Sequence, residues 1–199
     1  KAGDGGTGTS SDITGYNLGY GGGGGGSFFT FELGYTSGYI GHCLDGGADG
    51  AVGRRYSYGC GFFETCWASE KLSININAED GRGGGGGGGV ASTESHQNTN
   101  SYRYGGDGGN GVVILRYTPK IPKLDVDEIT VVENLEGSTI VVFPEGESTY
   151  TLPNNVTQIE YLVVGGGGGG GFARNRSAGG GAGGRVLEGS MSVSPGQAL

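Results

Sequence analysis

Several things are scarce in this chain, and each scarcity closes a door. There are 2 histidines, 1 tryptophan, 1 methionine and 5 prolines in 199 residues. Neither His42 nor His96 sits in a nucleophile or metal motif, and no GxSxG, HExxH or Walker pattern occurs. The sequence therefore offers no catalytic constellation, and the expectation is a protein that is not an enzyme and needs no cofactor. Lys and Arg are few and scattered, with a net charge of −8. Phosphate neutralisation needs a basic patch, so nucleic acid is excluded as a partner. No run of 18 apolar residues is present, so no helix of the chain spans a membrane. Sustained 3.6-residue periodicity is missing too, so almost no α-helix is expected.

Glycine is what the chain has instead, 50 residues of it. The glycines come in runs and not at every third position, and proline is sparse, which excludes collagen. Pure runs stand at 21–26, 83–89 and 165–171, with AGGGAGG at 178–184. Short β-branched segments stand beside them: GVVILRY (111–117), ITVV (129–132), TIVVF (139–143) and IEYLVV (159–164). These read as strands. A flexible linker would be mixed with Ser or charge and flanked by polar spacers. These runs are pure and flanked by strands. The ordered alternative is polyglycine II, an extended helix with three residues per turn and no internal hydrogen bonds; seven residues would span roughly 22 Å. Its amides point outward and can bond to neighbouring copies when no Cβ holds them apart. The expected fold class is all-β with a polyglycine II helix bundle, short strands and long Gly-rich loops.

The chain divides by composition. Residues 1–118 are Gly-rich throughout, with Asp-Gly-rich turns expected at DGGADG (45–50) and GGDGGNG (105–111). Residues 119–127 form a proline-stiffened linker. Residues 128–199 hold a β-hairpin segment and then return to glycine. The echo between VVENLEGST (131–139) and VVFPEGEST (141–149) suggests successive hairpins or a meander. The chain starts at Lys1 without an initiator Met or signal peptide, so it is expected to be a processed product or an excerpt of something longer.

Other candidate sites are modest. Asp45, Asp49 and Asp107 are weak calcium candidates, short oxygen ligands in tight turns, although the full EF-hand or nonapeptide pattern is missing. Cys43, Cys60 and Cys66 are close enough in sequence for one disulfide in an oxidising compartment. His42 beside Cys43 suggests a metal site, but the cysteine spacings match no zinc knuckle. The stretch RRYSYGCGFFETCW (54–67) offers Arg54, Arg55, Tyr56, Tyr58 and Trp67 as a contact surface, by aromatic anchoring or by stacking on a sugar. Alternatively these residues supply core that glycine cannot. Asn155 and Asn175 head glycosylation sequons.

The pattern TYTLPNNVTQIEYLVVGGGGGGG (149–171), GGGAGG (179–184) and MSVSPGQ (191–197) resembles the glycine-rich domain of phage tail-fibre and bacterial surface proteins. GGDGGNGVVILRY (105–117) resembles the end of that domain. A looser similarity exists to the glycine-rich extracellular domain of anaplastic-lymphoma-kinase-type receptors. The resemblance implies a β framework carrying polyglycine II helices, used outside cells for adhesion, receptor recognition or fibre building. The order is permuted here: the closing motif precedes the opening one. The resulting expectation is a structural subunit or tandem-repeat unit of an extracellular fibre, filament or virion appendage. Its half-domains, 1–118 and 128–199, would be completed head to tail by the neighbouring copy. The alternative is a receptor- or glycan-binding adhesin module at a fibre tip. An ice-binding face would want ordered Thr or Ala repeats, which are not seen.

Overall fold

The computed structural model describes residues 2–30, 42–43, 45–48, 76–89, 104–118, 137–143, 145–146, 148–173 and 177–199. It also gives the strand pairing of 52–61, 64–71, 91–92, 101–102 and 130–133. The described part is all-β, with short strands and no helix.

The main sheet has five strands. They are β8 (Val112–Tyr117), β9 (Thr130–Glu133), β10 (Thr139–Phe143), β11 (Gln158–Val164) and β12 (Val186–Ser192), in the order β12-β11-β8-β10-β9. All its pairings are antiparallel. β8 lies in the middle, which is why its sequence VVILRY reads as a nearly continuous apolar run: both its faces are covered. On one face Val112 and Ile114 pack with Ile140, Leu162 and Val164 beneath Ile13 and Tyr20. On the other, Leu115 and Tyr117 pack with Val141 and Ile159 beneath Leu152, Val156 and Val193.

Ile13 and Tyr20 are delivered by a small hairpin of β1 (Thr9–Ser11) and β2 (Leu18–Tyr20). The Ser11 hydroxyl donates to Glu188 at 2.8 Å, tying this hairpin to β12. Elsewhere β3 (Phe28–Thr30) pairs parallel with β4 (Val52–Gly61), which pairs antiparallel with β5 (Glu64–Lys71). A two-residue ladder joins β6 (Ala91–Ser92) to β7 (Ser101–Tyr102).

The expected strands at 111–117, 129–132, 139–143 and 159–164 are present within a residue or two. The expected meander is only half there. β9 and β10 form a hairpin, but β10 and β11 are not neighbours, because β8 lies between them and pairs with both. Consequently strands from residues 1–118 and 128–199 share one sheet within a single chain. The sequence does not announce β12. It is an edge strand with most of its residues exposed, so it carries no apolar alternation to reveal it.

Runs 21–27, 105–111, 165–171 and 178–184 adjoin the ends of β2, β8, β11 and β12, and with run 83–89 they form extended rows lying side by side, joined by backbone hydrogen bonds from row to row. Donors spaced by three residues go to the same neighbouring row. Gly23 and Gly26 donate to Gly6 and Gly3, Gly24 and Ser27 to Gly181 and Ala178, and Gly22 and Gly25 to Asp45 and Ala48. Row 83–89 repeats this: Gly85 and Gly88 donate to Gly22 and Gly25, and Gly86 and Gly89 to Gly168 and Gly171. Each row thus bonds to its neighbours and not to itself.

Candidate functional site

The feature that dominates the described surface and interior alike is this glycine bundle. Row 83–89 is buried at every residue. Its hydrogen-bond partners come from rows 21–27, 45–48, 105–111, 165–171 and 178–184, and from Ile76. On one side Gly106 and Gly109 donate to Gly87 and Gly84, and on another Gly181 and Gly184 donate to Gly86 and Gly83, at 2.6–2.8 Å. Rows from both halves of the chain therefore close around it.

Close approach explains the purity of the inner rows. A Cβ added to Gly86 would lie 2.0 Å from the carbonyl oxygen of Gly106, and one on Gly181 would lie 1.9 Å from that of Gly168. Both obstacles are backbone, so no side chain can rotate away. The entry of row 83–89 adds a second constraint: Gly83 has φ +64, a conformation that L side chains rarely adopt.

Ser27 shows how a run is closed. It is buried, its amide donates to the Ala178 carbonyl, and its hydroxyl donates to the Gly89 carbonyl at 3.0 Å. The same hydroxyl accepts from the Ala178 amide at 2.6 Å. One side chain ties the ends of three rows together.

At the rim, Asp and Asn side chains take the place of a neighbouring row. Asn77 Oδ1 accepts from the Asp107 amide at 3.1 Å and Asp80 Oδ1 from the Asn110 amide at 3.0 Å. Asp45 Oδ2 accepts from the Gly8 amide at 2.9 Å. These interactions give the acidic residues a structural role that sequence reasoning missed. The signal was present: Asn77 and Asp80, like Asp107 and Asn110, are spaced by three.

The calcium candidates separate accordingly. Asp45 stands in a tight turn with φ 53, followed by Gly46 at φ 87. Asp107 belongs to the extended row 105–111, so the turn expected at GGDGGNG is not a turn. It is a row because its Gly106 and Gly109 amides are drawn into line by the carbonyls of row 83–89. Asp49 lies outside the described residues. Among the described residues no cluster of three or more His, Cys, Asp or Glu side chains is placed to hold a metal.

Of the contact-surface candidates, the pairing of β4 and β5 sets Arg54 opposite Glu70, Arg55 opposite Ser69, Tyr56 opposite Ala68, Ser57 opposite Trp67 and Tyr58 opposite Cys66. Their side chains lie outside the described residues. Cys43 is half-buried, whereas the side chains of Cys60 and Cys66 are likewise outside the description. Asn155 is exposed in a turn, and Asn175 is outside the described residues.

Two tyrosines in the cores titrate abnormally. Burial, helped by a 2.6 Å hydrogen bond between the hydroxyls of Tyr117 and Tyr150, pushes Tyr117 well above its ordinary value. Burial likewise raises Tyr20, with Arg82 opposing and Glu188 adding to the shift.

Residues 142–199 match a family model described as a glycine-rich domain. The matched part contains β11, β12 and rows 165–171 and 178–184. No curated protein and no solved structure matches the chain. Among the described residues no helix is long and apolar enough to cross a membrane.

Proposed function

We propose that this protein is a non-catalytic structural unit of an extracellular fibre, filament or virion appendage, and that its glycine rows are polyglycine II helices. The observation that carries this reading is the three-residue spacing of the row-to-row hydrogen bonds, with row 83–89 wholly enclosed. Three residues per turn is the repeat of a polyproline II-type helix. A bundle of this kind presents few reactive groups and devotes its interior to backbone bonding, which suits a load-carrying spacer. The extracellular setting rests on the resemblance of the 149–171, 179–184 and 105–117 motifs to tail-fibre and surface-protein domains.

The partner in this reading is a second copy of the chain. The two halves meet within one chain, through β8 with β11 and through row 83–89 with rows 165–171 and 178–184. Head-to-tail completion would exchange these same contacts between copies, a heterologous arrangement that propagates as a filament. Electron microscopy of the purified chain tests it: filaments are expected, and discrete single-chain particles at every concentration would overturn it.

One observation favours the adhesin reading as a second possibility. Tyr104 and Phe172 are 70% and 45% exposed, with ring centroids 5.5 Å apart. They stand at the ends of rows 105–111 and 165–171 remote from the main sheet, where a receptor or glycan could be stacked. Loss of cell or glycan binding on replacing both by Ser, with the fold retained, would support that reading; unchanged binding would remove it.

A further inference from the structure

We infer that β12 is a lateral pairing edge, on which β12 of a second copy docks antiparallel about a two-fold axis through Gly189. β12 ends the main sheet, with β11 on one side and no described strand on the other. Bonds just beyond its two ends show which backbone groups face outward. The Val193 amide donates to Thr157, and the Arg185 carbonyl accepts from Gly165. In an antiparallel ladder alternate residues turn both N–H and C=O to the same side. The odd-numbered residues therefore bond to β11, whereas Val186, Glu188, Ser190 and Ser192 each direct a donor and an acceptor to the open side. None of these outward backbone groups bonds to another described residue.

Natural sheets blunt such edges with short strands, bulges, proline or lysine. The opposite edge, β9, is four residues long, and β1 and β2 have three each. β12 is seven residues long, pairs with β11 without a register shift, and contains neither Pro nor Lys. It also carries apolar side chains in the open. Leu187 and Met191 are 45% and 42% exposed. They lie opposite Val163 and Ile159 of β11, on one face of the sheet. Between them Gly189 gives room to Tyr161: a Cβ at Gly189 would lie 2.8 Å from the tyrosine hydroxyl, so that ring reaches across β12.

The strand VLEGSMS fits its own reverse. With the axis through Gly189 all seven residues pair, and Leu187 faces Met191 of the second copy while Glu188 faces its Ser190. Each exposed apolar side chain then gains an apolar neighbour, and the one charged residue of the strand meets a hydroxyl. An axis through Glu188 would instead set two carboxylates against each other. The outward donors and acceptors match by the same two-fold, and the bonds they form continue those already joining β12 to β11. Such a contact is isologous and lateral, whereas head-to-tail completion is heterologous, so the two fail independently.

Sedimentation velocity over a concentration series, on the full chain and on its Ser190→Pro and Ser190→Lys variants, tests it. Proline at 190 removes an outward amide and no bond to β11. Lysine at 190 sets an ammonium opposite Glu188 of the second copy. The expected result is concentration-dependent dimerisation that Ser190→Pro weakens at least roughly tenfold, with dimerisation of Ser190→Lys at least as tight as that of wild type. A wild-type chain that never dimerises overturns the inference, as does a folded Ser190→Pro variant that dimerises as wild type does. Equal weakening by lysine and proline overturns the register, and the inference with it. If Ser190→Pro fails to fold, exchange of the Glu188 and Ser190 amides in the wild type decides: slowing with rising concentration supports pairing, and no dependence on concentration overturns it. Micrographs showing filaments without lateral association would keep the fibre reading and overturn this one.

Discussion

The main sheet and the glycine bundle are two solutions to one problem, the ordering of extended backbone. In the sheet, side chains specify the arrangement. Leu162 and Ile159 are almost fully buried on opposite faces of β11, so a slip of one residue would carry each into the core shaped for the other. In the bundle the backbone specifies itself. Gly86 has no side chain to bury and is nonetheless enclosed, with its amide bonded to Gly168 and its carbonyl bonded by Gly181. The sheet gains from removing apolar surface from water, about 25 cal/mol per Å². The bundle gains from satisfied amides at short range, against the largest backbone entropy cost of any residue. The lesson is that the two regions should fail in opposite ways: the sheet when a side chain is removed, the bundle when one is added.

The sharpest break should come from adding one methyl group at the centre of the bundle. Gly86→Ala places a Cβ against backbone on a side where nothing can rotate away. We expect loss of the cooperative transition, or at least about 3 kcal/mol of destabilisation in urea titration, the upper part of the overpacking range. The converse break is in the sheet, where Leu162→Ala should cost roughly 2–5 kcal/mol by the same measurement. These two alanine substitutions have opposite steric signs. One adds a methyl group where none fits, and the other removes most of a side chain that fills space.

The comparison can be sharpened within a single row. Gly170→Ala should destabilise by roughly 1–3 kcal/mol, because its Cβ would meet the Gly87 oxygen. Gly169→Ala, one residue away, should be within about 1 kcal/mol of neutral. Equal effects at the two positions would show that spacing by three does not govern this row. Ser27→Ala should cost roughly 1–3 kcal/mol, since it leaves the half-buried Ala178 amide and the buried Gly89 carbonyl without their hydroxyl partner.

The smallest effect concerns pH. Tyr117 and Tyr20 keep their protons to higher pH in the folded state than the ordinary value of 10.0. Below pH 10 both folded and unfolded chains are protonated at these groups, so they leave stability unchanged. Above it the unfolded chain ionises first, and stability falls as pH rises. Tyr20→Phe should flatten that alkaline limb in thermal unfolding followed from pH 8 to 11, and an unchanged slope would contradict the assigned shift.

The two regions were also unequally legible in the sequence. β8, β10 and β11 announced themselves through β-branched runs, because buried side chains leave a compositional trace. β12 did not, since an exposed edge has no apolar face to encode. Strand order was hidden: the echo at 131–149 suggested sequential hairpins, and only the pairing places β8 between β10 and β11. In the bundle, the ordered nature of the runs could be argued from their purity, but which row lies beside which could not. Seven identical residues carry no register. That information sits at the rim, in Asn77 and Asp80 spaced by three, in Ser27, and in the two alanines of 178–184, Ala178 and Ala182.

Residue-resolved amide hydrogen exchange tests the central claim, that the glycine rows are ordered by bonding to one another. The account expects Gly85, Gly86 and Gly88 to be protected to a degree comparable with Leu162 of β11, and Gly166 and Gly169 of the dilute chain to exchange rapidly. Rapid exchange throughout 83–89, with β11 still protected, would contradict it and return the glycine runs to the status of linkers.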